Sequence, residues 1–142
     1  MARDLPFKVL GLEHVAIALS DSDDLRTFFT DKLGLELGKQ EEVIDQGVLT
    51  EIFNLGGSKV EFLNPLDGSS TIRRFLDRRG NALHHIALSV DDISKAISFL
   101  VEEGVEMIDT KPRVGAEGYS IAFIHPRSTS GVLIELCQKQ DL

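Results

Sequence analysis

The sequence contains two copies of one pattern, and this repeat limits the folds the chain can adopt. An apolar segment headed by His14 is followed by acidic residues, and a similar segment headed by His85 lies 71 residues later. Phe53 and Phe123, further along the two copies, are 70 residues apart. A match sustained over the whole length indicates an internal repeat whose period exceeds the solenoid range. We therefore predict two paired modules.

Each copy predicts the element order β-α-β-β-β from its hydrophobic periodicity. The first copy predicts a strand, a helix ending near Gly34, a short strand and a hairpin, at residues 11–19, 21–34, 35–39 and 48–63. The second copy predicts the same elements, with its helix ending near Gly104, at residues 83–90, 91–104, 105–109 and 119–137. The segments before the hairpins, 41–47 and 111–118, are predicted to be polar connections.

The organisation that follows is one domain over residues 1–142, with modules at 8–63 and 83–138. Residues 64–82 form the connector, in which Ser69 and Ser70 are predicted caps of a short helix rich in arginine. Mixed helices and hairpins of this kind belong to the α+β class.

Charge and cysteine content narrow the functions. The formal net charge is −8, which argues against binding a nucleic-acid backbone. No apolar run approaches the roughly 20 residues of a membrane span, and the first residues lack the apolar core of a signal peptide. Cys137 is the one cysteine, so no internal disulfide forms. We expect a cytoplasmic protein that binds neither nucleic acid nor membrane.

Four residues recur at matched places and are candidate metal ligands: His14, Glu61, His85 and Glu135. Each histidine opens the first strand of its module, and each glutamate lies among apolar residues of the last strand. A carboxylate is costly to bury unless it is paired or coordinated. A lone glutamate such as Glu61, beside Lys59, could instead face water. Two imidazoles and two carboxylates suit an octahedral divalent metal.

The doubled β-α-β-β-β pattern with these residues resembles the vicinal-oxygen-chelate superfamily, over residues 8–138. The superfamily includes glyoxalase I, extradiol dioxygenases and drug-resistance proteins. Within it, several segments are similar to the methylmalonyl-CoA epimerase family, namely residues 60–66, 83–87, 112–118 and 125–136. The resemblance implies two paired βαβββ modules forming a curved mixed sheet around a metal cleft. It also implies that His14, Glu61, His85 and Glu135 are the metal ligands.

The implied reaction interconverts (R)- and (S)-methylmalonyl-CoA by α-proton abstraction and a metal-stabilised enolate. The implied cofactor is a divalent ion, Co²⁺ first, with Mn²⁺, Ni²⁺ or Zn²⁺ as alternatives. Glu135 would be one of two catalytic bases. The other lies on the strand after Gln46-Gly47-Val48, where an ungapped count reaches Thr50. A one-residue bulge would place Glu51 there instead, and we predict Glu51 as the second base.

Coenzyme A brings phosphates, and the loop after His125 supplies the predicted contacts, Arg127, Ser128 and Thr129. Further cationic candidates are Arg73, Arg74, Arg78, Arg79, Lys111 and Arg113. The resemblance also implies an acyl-CoA substrate and a homodimer. Two alternatives stay open: a glyoxalase I-type isomerase, which shares the metal set, and a metal-dependent drug-binding resistance protein.

Overall fold

The computed structural model describes residues 3–68 and 70–140. In these ranges the β-α-β-β-β order occurs twice, with one extra helix between the copies. The elements are β1 (Val9–Ala18), α1 (Asp23–Thr27), β2 (Leu37–Val43), β3 (Val48–Leu55), β4 (Ser58–Pro65), α2 (Thr71–Arg79), β5 (Ala82–Val90), α3 (Ile93–Glu102), β6 (Arg113–Val114), β7 (Ser120–Ile124) and β8 (Ile134–Gln138). The predicted α+β class and doubled module are confirmed.

The chain divides into two compact units, a first unit of His14–His84 and a second unit of Met1–Glu13 with His85–Leu142. In the first, the strand order is β2-β3-β4-β1, and β1 runs parallel to β4 while the other neighbours are antiparallel. Gly56 has φ of 69° in the two-residue turn between β3 and β4, a conformation that glycine adopts without strain. The predicted hairpin is confirmed.

Helix α1 covers one side of this first sheet and continues as a π-helical turn, Phe28–Lys32. Leu25 and Phe29 pack against a buried cluster of Leu19, Phe53 and Phe62. Phe28 and Leu33, which have helical spacing with Leu25 in the sequence, are exposed. The π-helical turn is wider than an α-helical one and changes which side chains face the sheet.

The second strand of the first unit differs from the prediction. Strand β2 begins at Leu37 and continues through Glu41 and Glu42 to Val43, in the segment predicted as a polar connection. Because β2 is the outer strand of its group, it is more open to water than β3 or β4. Charged side chains are common on edge strands, where they prevent pairing with another chain. A run of glutamates is therefore compatible with a strand here.

The second unit repeats the arrangement with the order β5-β8-β7-β6 and with β5 parallel to β8. Asp92 caps α3, since its carboxylate accepts the backbone N–H of Lys95 at 3.0 Å. The apolar side of α3 lies in a core of Phe7, Val90, Ile93, Ala96, Ile97, Ala122, Ile124 and Leu136.

The predicted strand at 105–109 is wrong. Within the described residues it is reduced to one bridge, between Met107 and Ile124. The side chain of Asp109 accepts the backbone N–H of Phe123 at 2.8 Å, which removes a donor that a ladder there would use. The short strand β6 instead begins at Arg113, inside the predicted connection.

Ser70 caps α2, since its hydroxyl accepts the N–H of Arg73 at 3.1 Å; the other predicted cap, Ser69, lies outside the described residues. Ile72 and Leu76 are the buried side of this helix. Among the helices of residues 3–68 and 70–140, none has the length and apolarity needed to cross a membrane.

Candidate active site

In the first unit, His14 and Glu61 form a buried pair. The imidazole Nδ1 lies 3.0 Å from the carboxylate Oε2, and the two residues are only 5% and 4% exposed. Ala16 of β1 lies opposite Glu61 of β4, and His14 precedes Ala16 by two residues. Side chains two apart in a strand share a face, so the strand register brings the pair together.

In the second unit, His85 and Glu135 form the matching pair, with Nε2 2.8 Å from Oε1. Ala87 lies opposite Glu135, again two residues after the histidine. The other carboxylate oxygen, Oε2, lies 3.0 Å from the thiol of Cys137. The ring of Phe123 meets the His85 imidazole edge to face, at 5.2 Å between centroids. These contacts fix the orientation of both groups.

The chemistry of both pairs fits a divalent metal. Imidazole nitrogen and carboxylate oxygen are ligands of Co²⁺, Mn²⁺, Ni²⁺ and Zn²⁺. In each unit one of each kind is buried and turned toward the other. A buried carboxylate is costly unless it is paired or coordinates a metal, so a metal ion bound between the carboxylate and the imidazole would stabilise both groups.

The sequence repeat aligns Phe53 with Phe123, but the strand pairing shows that this alignment is wrong by one residue in the third strand of each module. Glu61 lies opposite Ile52, whereas Glu135 lies opposite Phe123. Ile52 and not Phe53 is therefore the structural counterpart of Phe123. Phe53 instead packs against Phe62 at 5.2 Å between ring centroids, in the cluster under helix α1.

Glu51 does not lie on the face that carries His14 and Glu61. The register of β3 on β4 is unbroken from Val48 to Leu55, with Thr50 opposite Leu63 and Glu51 opposite Phe62. The predicted bulge before Glu51 is therefore wrong. Alternation turns Glu51 toward helix α1 and leaves Thr50 on the face of Glu61. We call the face with His14, Thr50 and Glu61 the ligand face.

Glu51 is fully buried and receives four side-chain donors. Arg26 Nη1 lies 2.6 Å from Oε2, Gln40 Nε2 lies 2.9 Å from Oε2, and Asn64 Nδ2 lies 3.0 Å from Oε1. The hydroxyl of Ser22, at the N-terminus of α1, also donates to Oε1. A carboxylate offers about four acceptor positions, so this one is saturated by the protein itself.

These donors keep Glu51 ionised. Burial is the largest single influence and by itself raises the pKa of Glu51, but the hydrogen bonds from Ser22, Arg26, Gln40 and Asn64 together hold that pKa below its ordinary value of 4.5. The hydrogen bond to Glu51 in turn raises the pKa of the Arg26 guanidinium. A saturated, ionised carboxylate has a structural role, which argues against Glu51 as a base.

The sequence analysis missed a carboxylate on the ligand face. Glu41 of β2 lies directly opposite Thr50, and its side chain is one quarter exposed (25%). It was overlooked because residues 41–47 were interpreted as a connection between strands. The signal that could have found it is the alternation of Lys39, Glu41 and Val43, which gives one face of a strand.

The predicted coenzyme A contacts lie in the turn between β7 and β8. The Arg127 side chain is 74% exposed, with Nη1 3.3 Å from Glu106 Oε1. Ser128 accepts the backbone N–H of Glu106 at 2.8 Å, and Thr129 donates to the carbonyl of Val132 at 2.5 Å. Both hydroxyls therefore hold the shape of the loop, and Arg127 is the side chain of the three that extends into solvent.

The remaining cationic candidates lie on α2 and near β6. Arg74, Arg78 and Arg79 are exposed on α2, where Arg73 Nε lies 3.3 Å from Asp77 Oδ1. Lys111 is exposed shortly before β6. In the second unit, Arg113 lies 5.6 Å from the centroid of the Phe123 ring and its Nε lies 3.1 Å from Asp109 Oδ1. Phe123 contacts His85 in turn, so Arg113 is close to the second His–Glu pair.

Known proteins resemble the chain in both sequence and fold. The model of the Glyoxalase/Bleomycin resistance protein/Dioxygenase superfamily matches residues 13–123. Methylmalonyl-CoA epimerase of Dictyostelium discoideum is 36% identical over 129 residues, which cover 90% of this chain and 78% of that protein.

Solved structures give the same result. The methylmalonyl-CoA epimerase of Mycobacterium tuberculosis superposes with a TM-score of 0.90 at 34% identity, over 99% of this chain and 93% of the other. A variant of the Streptomyces coelicolor epimerase, in complex with 2-nitronate-propionyl-CoA, has a TM-score of 0.90 at 28% identity, over 95% and 98%. The chain belongs to the Glyoxalase/Bleomycin resistance protein/Dioxygenase superfamily and, within it, to the family of the methylmalonyl-CoA epimerases.

Proposed function

We propose that the protein interconverts (R)- and (S)-methylmalonyl-CoA. One observation carries the proposal: the buried His85–Glu135 pair, repeated as His14–Glu61, in a chain of the epimerase family. The Streptomyces relative was solved with an acyl-CoA compound, which supports a coenzyme A thioester as the substrate. The reaction removes one proton from the α-carbon and adds one on the opposite side, so it needs neither a redox cofactor nor a nucleophile.

We propose that His14, Glu61, His85 and Glu135 hold one divalent metal ion, with Co²⁺ as the first candidate. The identical register of the two pairs supports this assignment, because each unit alone offers only two of these ligands. When bound, such an ion supplies Lewis-acid chemistry, which stabilises negative charge on a thioester oxygen.

Glu135 is the proposed proton-transferring group on one side of the substrate α-carbon. Strand β8 holds Glu135 buried, at 5% exposure, on the same face as His85. His85 and Cys137 each contact one of its oxygens and hold the carboxylate in place. Removing the α-proton leaves the electron pair on the enolate, and returning a proton to the opposite side inverts the centre.

We propose that the phosphate end of coenzyme A is bound by Arg127, in the loop shaped by Ser128 and Thr129. The exposed guanidinium of Arg127 suits bidentate phosphate contact. Exposed arginines on α2 are additional candidates.

We also propose that the protein forms a homodimer and acts in the cytoplasm. Sedimentation equilibrium would measure the number of subunits.

Proton exchange in D₂O tests the proposal. With Co²⁺ bound, the protein should exchange the α-proton of methylmalonyl-CoA and convert one enantiomer to the other, and Glu135→Ala should abolish the conversion. Glu42→Gln, an exposed glutamate of β2, is the control. Conversion at the wild-type rate in Glu135→Ala would refute the role of Glu135. Turnover of the methylglyoxal–glutathione hemithioacetal, without turnover of methylmalonyl-CoA, would favour the glyoxalase I alternative.

A further inference from the structure

The ligand face of the first unit lacks a carboxylate where the resemblance leads one to expect it. Inversion needs a proton-transferring group on each side of the α-carbon, and the ungapped count gives Thr50 for the second one. The structure has Thr50 on the ligand face and almost fully buried, at 1% exposure. A threonine hydroxyl is not among the side chains that serve as general bases near neutral pH. Glu51, the next residue, lies on the other face with its acceptor positions filled.

Strand β2 supplies a carboxylate at the neighbouring position. Glu41 lies opposite Thr50, Gln40 opposite Glu51, and Lys39 opposite Ile52. Directly opposite residues of an antiparallel pair share a face, with Cβ atoms about 4.5–5.5 Å apart. Two side-chain contacts confirm on which side of the sheet the residues of β2 lie. Gln40 reaches Glu51 on the helix side, at 2.9 Å, and Lys39 Nζ reaches Glu41 Oε1 at 3.0 Å on the ligand face.

Glu41 is more accessible to water than Glu51, and access to water allows a carboxylate to exchange its proton. Glu51 is fully buried and saturated by four donors. The Glu41 side chain is 25% exposed, and Lys39, with which it forms an ion pair, has a side chain that is 54% exposed. Water therefore reaches Glu41, so a proton can be exchanged with solvent between turnovers.

The second unit also has a charged side chain at the position that corresponds to Glu41. The counterpart of Thr50 is Ile121, two residues before Phe123, and Arg113 of β6 lies opposite Ile121. Arg113 is the residue that covers the Phe123 ring beside His85. The repeat thus places a charged side chain at the same register position of both outer strands, with opposite sign in the two units.

We infer that Glu41 is the second catalytic acid–base. Its carboxylate would reach the substrate from the position opposite Thr50 on the ligand face. This inference rests on the proposed function. In one direction Glu41 removes the α-proton, the C–H electron pair becomes the enolate, and Glu135 donates a proton to the opposite side. In the reverse direction the two glutamates exchange roles. Each turnover leaves one glutamate protonated and the other ionised, and exchange with water resets both.

The test measures each enantiomer separately in D₂O, for wild type, Glu41→Gln and Glu42→Gln. Glu42 is the matched control, because it is the next residue of β2 and alternation turns it to the other face. We expect Glu41→Gln to slow epimerisation by about 10²-fold or more. It should still exchange the α-proton of the one enantiomer that Glu135 serves, with retention of configuration. Its metal affinity should equal that of wild type.

Four results would overturn the inference or its premise, and they are distinguishable. Epimerisation by Glu41→Gln at the wild-type rate would exclude Glu41. Wild-type protein that exchanges one enantiomer without producing the other would also exclude it, while leaving Glu135 chemistry intact. Wild-type protein with no exchange of either enantiomer would instead refute the proposed function. Loss of epimerisation in Glu42→Gln as well would mean that β2 acts through its structure and not through the Glu41 carboxylate.

Discussion

Glu41, Glu51 and Glu135 are glutamates on strands, and their partners separate their roles. Glu51 accepts hydrogen bonds from four side chains, while Glu135 contacts one imidazole and one thiol. Burial alone does not distinguish a structural carboxylate from a reactive one. A carboxylate that accepts hydrogen bonds at every position, as Glu51 does, has none left for a substrate proton.

Replacing Glu51 should destabilise the fold. Glu51→Gln loses the charge that pairs with Arg26 and turns an amide N–H₂ toward existing donors. Breaking a buried pair costs about 3–5 kcal/mol. Because Arg26 is one-third exposed and can reach water, we expect a smaller loss, about 2–3 kcal/mol. Urea unfolding measures it. Glu42→Gln, at an exposed site, should change the free energy of unfolding by less than about 0.5 kcal/mol.

The same carboxylate predicts an acid dependence of stability. Because the pKa of Glu51 is lower in the folded protein than its ordinary 4.5, its contribution is fully present above that value. The contribution is lost as the pH falls from there through the folded-state pKa. In wild type the free energy of unfolding should therefore drop in this window more steeply than in Glu51→Gln. Equal slopes in the two proteins would contradict the assigned pKa direction.

At the scale of elements, turns fix where strands begin and hence which residues face the site. Gly47 precedes β3 with φ of 67°, and a Cβ there would meet the Ser70 Cβ at 2.7 Å. Its carbonyl accepts the N–H of Leu66 at 3.0 Å. The turn thereby ties the start of β3 to the chain after β4 and to the cap of α2.

Substituting Gly47 should cost more than substituting a glycine of similar backbone. Gly34 has φ of 69° and no atom within 4 Å of a built Cβ, so Gly34→Ala carries only the left-handed strain, about 1–2 kcal/mol. Gly47→Ala adds the clash with Ser70 and should cost about 1–3 kcal/mol more. Thermal unfolding of the two variants compares them directly. A smaller loss in Gly47→Ala than in Gly34→Ala would contradict the clash.

At the scale of the whole molecule, the proposed metal site draws ligands from both repeats. A site of this kind makes metal binding a property of the folded chain, since the ligands are 121 residues apart at their extremes, from His14 to Glu135. Binding to the folded state then stabilises it by mass action.

One shared site predicts one ion per chain and equal sensitivity of all ligands. Co²⁺ at 100 times its Kd should stabilise wild type by about 2.7 kcal/mol, measured as a rise in Tm. His14→Ala and Glu135→Ala should each lose the whole effect, and His84→Ala should keep it, because His84 packs against Phe75. Two bound ions, or a half-effect in each variant, would indicate separate sites.

The sequence by itself determined the doubled module, the Ser70 cap of α2 and the four residues of the two His–Glu pairs, because repetition and hydrophobic periodicity are local and additive along a chain. Only the tertiary structure decided the faces. A shift of one residue in register exchanges every side chain between the two sides of a sheet, and register depends on which strands pair. That is why Glu51 was predicted at the site and lies under a helix, and why Glu41 was predicted in a loop and lies on the ligand face.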